Sequence, residues 1–238
     1  MPGGAPQAVS RLVGLLLTGL VALLSPRPGF PQIPPGADEM RAYSGLHGAA
    51  ARGDAVEIRR LLAVRADPDA RDANGRTPLH VAAFGAKAEA MRALAAGGAD
   101  PDALDAQRYD VVTIVAVRGD MATLRLALAL GASPRNVTSP YDGTALIAAA
   151  HLGHAEVVRV LVEAGAPLDH VNNLGWTALL EAVILGDGGP RHVAVVRILV
   201  EARAAVDLAD RQGVTPLAHA RARGYAEMVR ILEEAGRR

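Results

Sequence analysis

The chain has no cysteine. That excludes disulfide scaffolds, thiolate metal sites, cysteine nucleophiles and a lipidated cysteine. Aromatic residues make up only 3%, so stacked rings cannot build the core. Charge of one sign is missing as well: Lys+Arg and Asp+Glu each number 25. Without a basic excess no nucleic-acid partner is expected. Long apolar runs are lacking too. The uncharged stretch 12–24 has thirteen residues, against the about 20 that span a bilayer. What the chain does have is small apolar side chains. Half of it is hydrophobic, and 48 of its 238 residues are alanine, a composition suited to closely packed helices.

The 12–24 stretch follows Arg11 and precedes five prolines between Pro26 and Pro35. Proline cannot continue a helix, and a short apolar run so placed reads as a secretory signal. We therefore expect a signal peptide over 1–25, with an uncleaved anchor as the alternative, and a proline-rich linker over 26–38. A periplasmic or secreted location follows, with no other membrane association.

The remainder repeats itself. LHGAAARGDAVEIRRLLAVRADPDA from Leu46 lies over LHVAAFGAKAEAMRALAAGGADPDA from Leu79, an offset of 33. The same period carries the anchor to Val112, and with one extra residue to Leu146. It then reaches Leu179, and after five inserted residues Leu217. Six units result, at about 40–71, 72–104, 105–137, 138–171, 172–209 and 210–238. In the second, the polar turn 72–75 precedes a helix start at Thr77-Pro78, with Thr suited to capping and Pro to the first helical position. A glycine such as Gly53, Gly119, Gly153 or Gly224 ends the first helix of its unit, and a second helix follows. Neither helix can bury its apolar face alone, so the units must stack.

The stretches TPLHVAA from Thr77, GTALIAAAHLGHAEVVRVLVEAGAPLD from Gly143 and GVTPLAHARARGYAEMVRILEEAG from Gly213 resemble ankyrin repeats. The resemblance covers 39–238. It implies an all-α repeat solenoid of about six helix-turn-helix units with short β-hairpin turns and a concave binding face. Repeat three departs from the pattern, with Asp110-Val-Val-Thr in place of T-P-L-H, and repeat five carries the insertion.

Sites for chemistry are few. His151 and His154 form an H-x-x-H pair, but they straddle a helix end and have no third ligand in view, so no metal is expected. His47 and His80 fall at the histidine of the T-P-L-H motif, where the resemblance implies a framework hydrogen bond. Asp67, Asp100, Asp169 and Asp207 recur once per unit, as turn residues do. No nucleophile elbow, Walker loop or dinucleotide fingerprint is present. No catalytic residue and no cofactor is expected, and the chain reads as a non-enzymatic module.

One irregularity offers an alternative. The insertion Gly186-Asp187-Gly188-Gly189-Pro190-Arg191-His192 runs into a helix start, where N–H groups with Arg191 and His192 could hold an anion. A small-ligand binder or enzyme built on this loop is the second reading, and a plain structural spacer the third.

The leading reading lies on the positions the repeat framework leaves free. These place Arg76, Phe84, Tyr109, Arg118, Tyr141, His151, Leu174, Trp176, Ile184, Leu185 and Arg223 on one face. Tyr, Trp and Arg are the side chains that most often anchor interfaces. The expected function is an exported, monomeric protein-interaction module with a regulatory, protective or immunity-type role, holding a protein partner on this face.

Overall fold

The computed structural model describes residues 32–237. The expected signal peptide and residues 26–31 of the expected linker lie outside the described residues. Thirteen helices occur among the described residues, with no strand and a single isolated bridge, Thr138 to Gly143. A short α1 (Ala37–Ala42) leads. Six pairs follow, each an inner and an outer helix: α2 (Gly45–Arg52) with α3 (Ala55–Ala63), α4 (Pro78–Phe84) with α5 (Ala88–Ala96), and α6 (Val111–Val117) with α7 (Met121–Ala129). Then come α8 (Ala145–His151) with α9 (Ala155–Glu163), α10 (Ala178–Ile184) with α11 (Pro190–Glu201), and α12 (Pro216–Ala222) with α13 (Ala226–Ala235). Inner helices pack on inner helices and outer on outer in chain order. This is the six-unit solenoid that the period requires. No helix among the described residues is long and apolar enough to cross a membrane.

The anchors Leu46, Leu79, Val112, Leu146 and Leu179 are buried, and Leu217 packs half-buried against the same core at the last repeat. Between them Ala49, Ala50, Ala82, Ala83, Ala116, Ala149, Ala150, Ala182 and Ala220 have no exposed surface. The alanine excess therefore forms a stripe along the inner helices, where a larger side chain would push neighbouring backbones apart.

Each inner helix after α2 starts on a side-chain cap. Thr77, Thr144, Thr177 and Thr215 accept the N–H of the third helical residue, and Asp110 does the same for α6. The departure in repeat three thus keeps the cap with a different residue. Thr113, which stands where repeat two has His80, pairs its hydroxyl with that of Thr138 at 2.9 Å.

The hairpin tips have one internal design. At the head of each, a single side-chain oxygen accepts two backbone N–H groups. Asp72 Oδ1 takes those of Asn74 and Arg76, and Asp105 Oδ1 those of Gln107 and Tyr109. Ser139 Oγ, Asn172 Oδ1 and Asp210 Oδ1 act alike in the next three tips. Consecutive tips are then tied together: Ala106 N–H donates to Asn74 O, Ser139 N–H to Arg108 O, and Asn173 N–H to Tyr141 O, at 3.0, 2.8 and 2.9 Å. Arg211 Nη2 continues the ladder to Asn173 O at 2.5 Å.

Sequence spacing groups Asp67, Asp100, Asp169 and Asp207 at one position, whereas the structure divides them between two. Asp67 and Asp100 close local turns on the N–H of Asp69 and Asp102. Asp169 belongs with Asp69 and Asp102, two residues further along, and these three accept an N–H from the following repeat, at Ala205, Asp100 and Ser133. Asp207 aligns with this second set.

Histidine joins repeats in the same way. His47 Nε2 donates to Arg76 O at 2.9 Å and His80 Nε2 to Tyr109 O at 3.0 Å, one repeat ahead. His154 and His192 reach back to Val117 O and His151 O at 3.1 and 3.0 Å. The Thr77 N–H points at His80 Nδ1 at 3.2 Å, so the fully buried ring is neutral with its proton on Nε2. Burial pushes the His80 pKa below its ordinary value of 6.5. Above 6.5 the ring is neutral in both folded and unfolded chains, and the contribution of this site is complete. Below it, the unfolded chain takes up a proton that the folded one refuses, so stability falls with falling pH. Urea unfolding at about pH 7.5 and about pH 5.5 should show a smaller loss for His80→Gln than for the native chain. An equal loss would mean that His80 titrates alike in both states.

Candidate protein-binding face

The face made by the tips and inner helices is not uniform. Its N-terminal part is filled by the chain itself. Arg76, expected as an exposed anchor, is 1% exposed. Its Nε donates to Asp72 Oδ2 at 2.7 Å, its Nη1 to Ile33 O at 3.2 Å, and its Nη2 to Glu39 Oε1. The Tyr43 hydroxyl donates to the same Asp72 carboxylate at 2.6 Å. Burial raises the Asp72 pKa, but the Tyr43 and Arg76 donors outweigh it and hold the carboxyl low. Residues 32–38, expected as linker, therefore lie against the first tip, and α1 already begins at Ala37. Phe84 and Tyr109 are also in the core, 8% and 7% exposed, and burial raises the Tyr109 pKa. The framework allows any residue at these three positions, but here Arg76 is covered by the N-terminal segment and the two rings lie in the core, so none offers a face to a partner.

The C-terminal part is open. Tyr141, His151, Leu174, Trp176, Ile184 and Leu185 are half-buried, while Arg118 and Arg223 are exposed. Trp176 is fixed through its backbone, its N–H donating to Asn172 Oδ1 at 2.9 Å and its carbonyl accepting from Asn172 N–H at 3.0 Å. Tyr141 takes the tip place of Leu174; the counterpart of Trp176 in that tip is Gly143.

Sequence reasoning missed the polar residues in the floor of this face. Glu181 and His219 occupy the inner-helix position where repeats two and three have Val81 and Ile114. Glu181 accepts from Asn172 Nδ2 and His151 Nδ1, both at 3.0 Å. His219 Nε2 donates to Asp210 Oδ2 at 2.6 Å. Burial raises the Asp210 pKa, but the Val214 N–H and His219 outweigh it. Setting the repeats under one another reveals this signal, because a charged residue stands in an otherwise apolar column.

The 186–192 loop closes on itself. Gly189 N–H, a donor expected to face an anion, donates to Asp187 Oδ1 at 2.9 Å, and His192 Nδ1 meets the same oxygen at 2.9 Å. These contacts, Gly189 first, hold the Asp187 carboxyl below its usual pKa. His192 is the repeat counterpart of His154 and is 5% exposed, so it belongs to the framework and not to a ligand loop. The Tyr225 hydroxyl donates to Gly186 O at 2.9 Å and covers the far side. Arg191 stays exposed. The loop's own carboxylate thus takes the donors that the anion reading needs. Among the described residues no group of three His, Asp or Glu side chains could hold a metal ion.

Two contrasts check this placement. Tyr109→Ala should cost about 3 kcal/mol or more in urea unfolding, as a large buried side chain does, whereas Trp176→Ala should cost about 1 kcal/mol or less. Equal losses would put both rings in the core. In the loop, Gly188 has φ 70°, and an added Cβ would sit 2.7 and 2.8 Å from Tyr225 ring atoms. Gly188→Ala should therefore lower stability by about 2 kcal/mol. Gly98→Ala meets nothing within 4 Å at φ 89° and should cost about 1 kcal/mol, for its backbone alone. A Gly188→Ala melt no lower than that of Gly98→Ala would show that the loop is not packed on Tyr225.

Comparison with known proteins agrees with this architecture. A family profile for ankyrin repeats matches three times, over 19–105, 46–126 and 112–204. An ankyrin repeat domain from Acinetobacter baumannii AYE is 44% identical, superposes with a TM-score of 0.75, and the match covers 80% of this chain and 97% of that one. The ankyrin repeat domain of Bcl-3, a unique member of the IkappaB protein family, is 27% identical with a TM-score of 0.73, over 82% and 87% of the two chains. The putative ankyrin repeat protein YahD of Escherichia coli K12 is 33% identical over 97 residues, which is 40% of this chain and 48% of YahD, so the match spans about half of that relative. Ankyrin repeats are as a class protein–protein interaction modules and typically not enzymes. The period, the capped helix pairs, the linked tips and these likenesses together place the chain in the ankyrin repeat family.

Proposed function

We propose that this chain holds a protein partner on the tips and inner helices of repeats four to six, and that it acts as a monomer without catalysis. One observation carries the reading. Of the residues at free positions, the large apolar or aromatic ones that remain accessible (Tyr141, Leu174, Trp176, Ile184 and Leu185) lie in repeats four and five, with the smaller half-buried Val117 and Val214 in the repeats on either side. Arg118 and Arg223 flank them. A half-buried aromatic and aliphatic strip with arginine at its rim has the composition of an interface core. The uncharged 12–24 segment before a proline run supports export to the periplasm or beyond. A regulatory, protective or immunity-type role fits such a binder.

The test uses the partner captured from a periplasmic extract by the tagged chain. The sole tryptophan, Trp176, should change its fluorescence on binding. Trp176→Ala with Tyr141→Ala should weaken that complex by about 2 kcal/mol or more, while the thermal midpoint stays close to that of the native chain. Unchanged affinity in the folded double variant would move the partner to another surface.

A further inference from the structure

Glu181 is 4% exposed on inner helix α10, and no lysine or arginine among the described residues pairs with it. Its contacts are the Asn172 amide and His151 Nδ1. A buried carboxylate without a cation is unfavourable by desolvation, and in repeats two and three this position is simply Val81 and Ile114. What the charge does is fix an imidazole. A carboxylate at Nδ1 takes the N–H there and leaves the Nε2 lone pair outward. The His151 backbone is fixed as well, because its carbonyl accepts from His192 Nε2 at 3.0 Å. The His151 side chain is 42% exposed, and no side chain among the described residues donates to its Nε2.

Repeat six also pairs a buried carboxylate with an imidazole, here with the carboxylate at the tip head and the imidazole on the inner helix, and it adds a third member. There His219 donates from Nε2 to the buried Asp210 carboxylate, and Arg223 Nη1 donates to His219 Nδ1 at 3.1 Å. Carboxylate, imidazole and guanidinium stand in a row, so the negative charge is answered by a cation through the ring. In repeats four and five only the carboxylate and the imidazole come from this chain; the helix that carries Glu181 ends in Ile184 with Leu185 as its C-cap, and half-buried Trp176 stands just before its N-cap. The face of a tryptophan ring attracts cations.

Resting on the binding reading above, we propose that His151, oriented by Glu181, is a specificity-determining acceptor on this face. It takes a hydrogen bond from a basic side chain, arginine or lysine, of a partner segment whose neighbouring residues are apolar. Glu181 is then a positioning residue and supplies the charge complementarity through the ring. Arg118 and Arg223, exposed at the rim, repel a second basic residue and limit the site to one.

The experiment selects binders of the full chain from a displayed random-peptide library, keeping those that change Trp176 fluorescence. The expected result is a set carrying one Arg or Lys among apolar residues. Replacing that residue by Gln should weaken binding to the native chain at least tenfold, and to His151→Phe less than twofold, a coupling that loss of shape alone does not produce. Glu181→Gln should weaken the same peptide with an unchanged melting temperature. If that variant does not fold, long-range ¹H–¹⁵N spectra of the native chain decide the point: His151 should carry its proton on Nδ1, and the opposite tautomer overturns the proposal. Peptides that bind and alter Trp176 without a basic residue, or without coupling to His151, overturn it and leave the binding face standing. A library yielding no peptide that alters Trp176 sinks both.

Discussion

A hairpin tip turns its own N–H groups inward, and they must find acceptors or leave the tip unformed. Here one oxygen at the head of each tip, from Asp72, Asp105, Ser139, Asn172 or Asp210, takes two of them. Everything that faces a partner depends on this. The closed tips can be tied to one another through backbone groups, which sets the spacing of successive repeats, and the spacing decides which free positions stand side by side. The imidazoles of His47, His80, His154 and His192 add cross-links between repeats. Apolar stacking of the alanine stripe supplies the bulk of the stability, but it is non-directional and cannot by itself fix a register.

The same framework explains why binding capacity concentrates at one end. At the N-terminal end the first tip is covered by residues 32–43 of the chain, with Arg76 neutralised between Asp72 and Glu39. Terminal repeats must cover a face that has no neighbour, and here the free position of repeat two serves for that covering. At the other end the exposed sides of α12 and α13 are given over to ion pairs, of Arg221 to Glu233 and of Arg230 to Glu227 and Glu234. The interior repeats four and five have neither duty, and their free positions remain available.

Much of the fold is legible in the sequence, because a period of 33 with recurrent leucine, alanine and glycine leaves one architecture. The number of units, their order and the anchors follow from alignment alone. The site is less legible. Repeat alignment says which positions the framework leaves free, but not whether a side chain turns outward. Arg76 and Tyr109 sit at the same tip position as Trp176, yet only Trp176 keeps an accessible face, because Glu39 and Ile33 cover Arg76 and the stack takes in Tyr109. His192 shows the converse. Counted forward from Gly186 it belongs to an insertion, but counted back from Leu217 it is the partner of His154, and its bond to His151 O settles the register. Glu181 needed no structure to be seen. It needed the column to be read for charge.

Amide hydrogen exchange of the free chain and of its partner complex tests the central claim most directly, since it reports the occupied face without substituting any residue. Slower exchange on binding should appear at 141–143, 151–153, 173–176 and 185–186, where tips and inner-helix ends of repeats four and five meet. The tips of repeats two and three should change little. Protection confined to the outer helices α7, α9 and α11, or spread over the first tip and α1, would contradict the account.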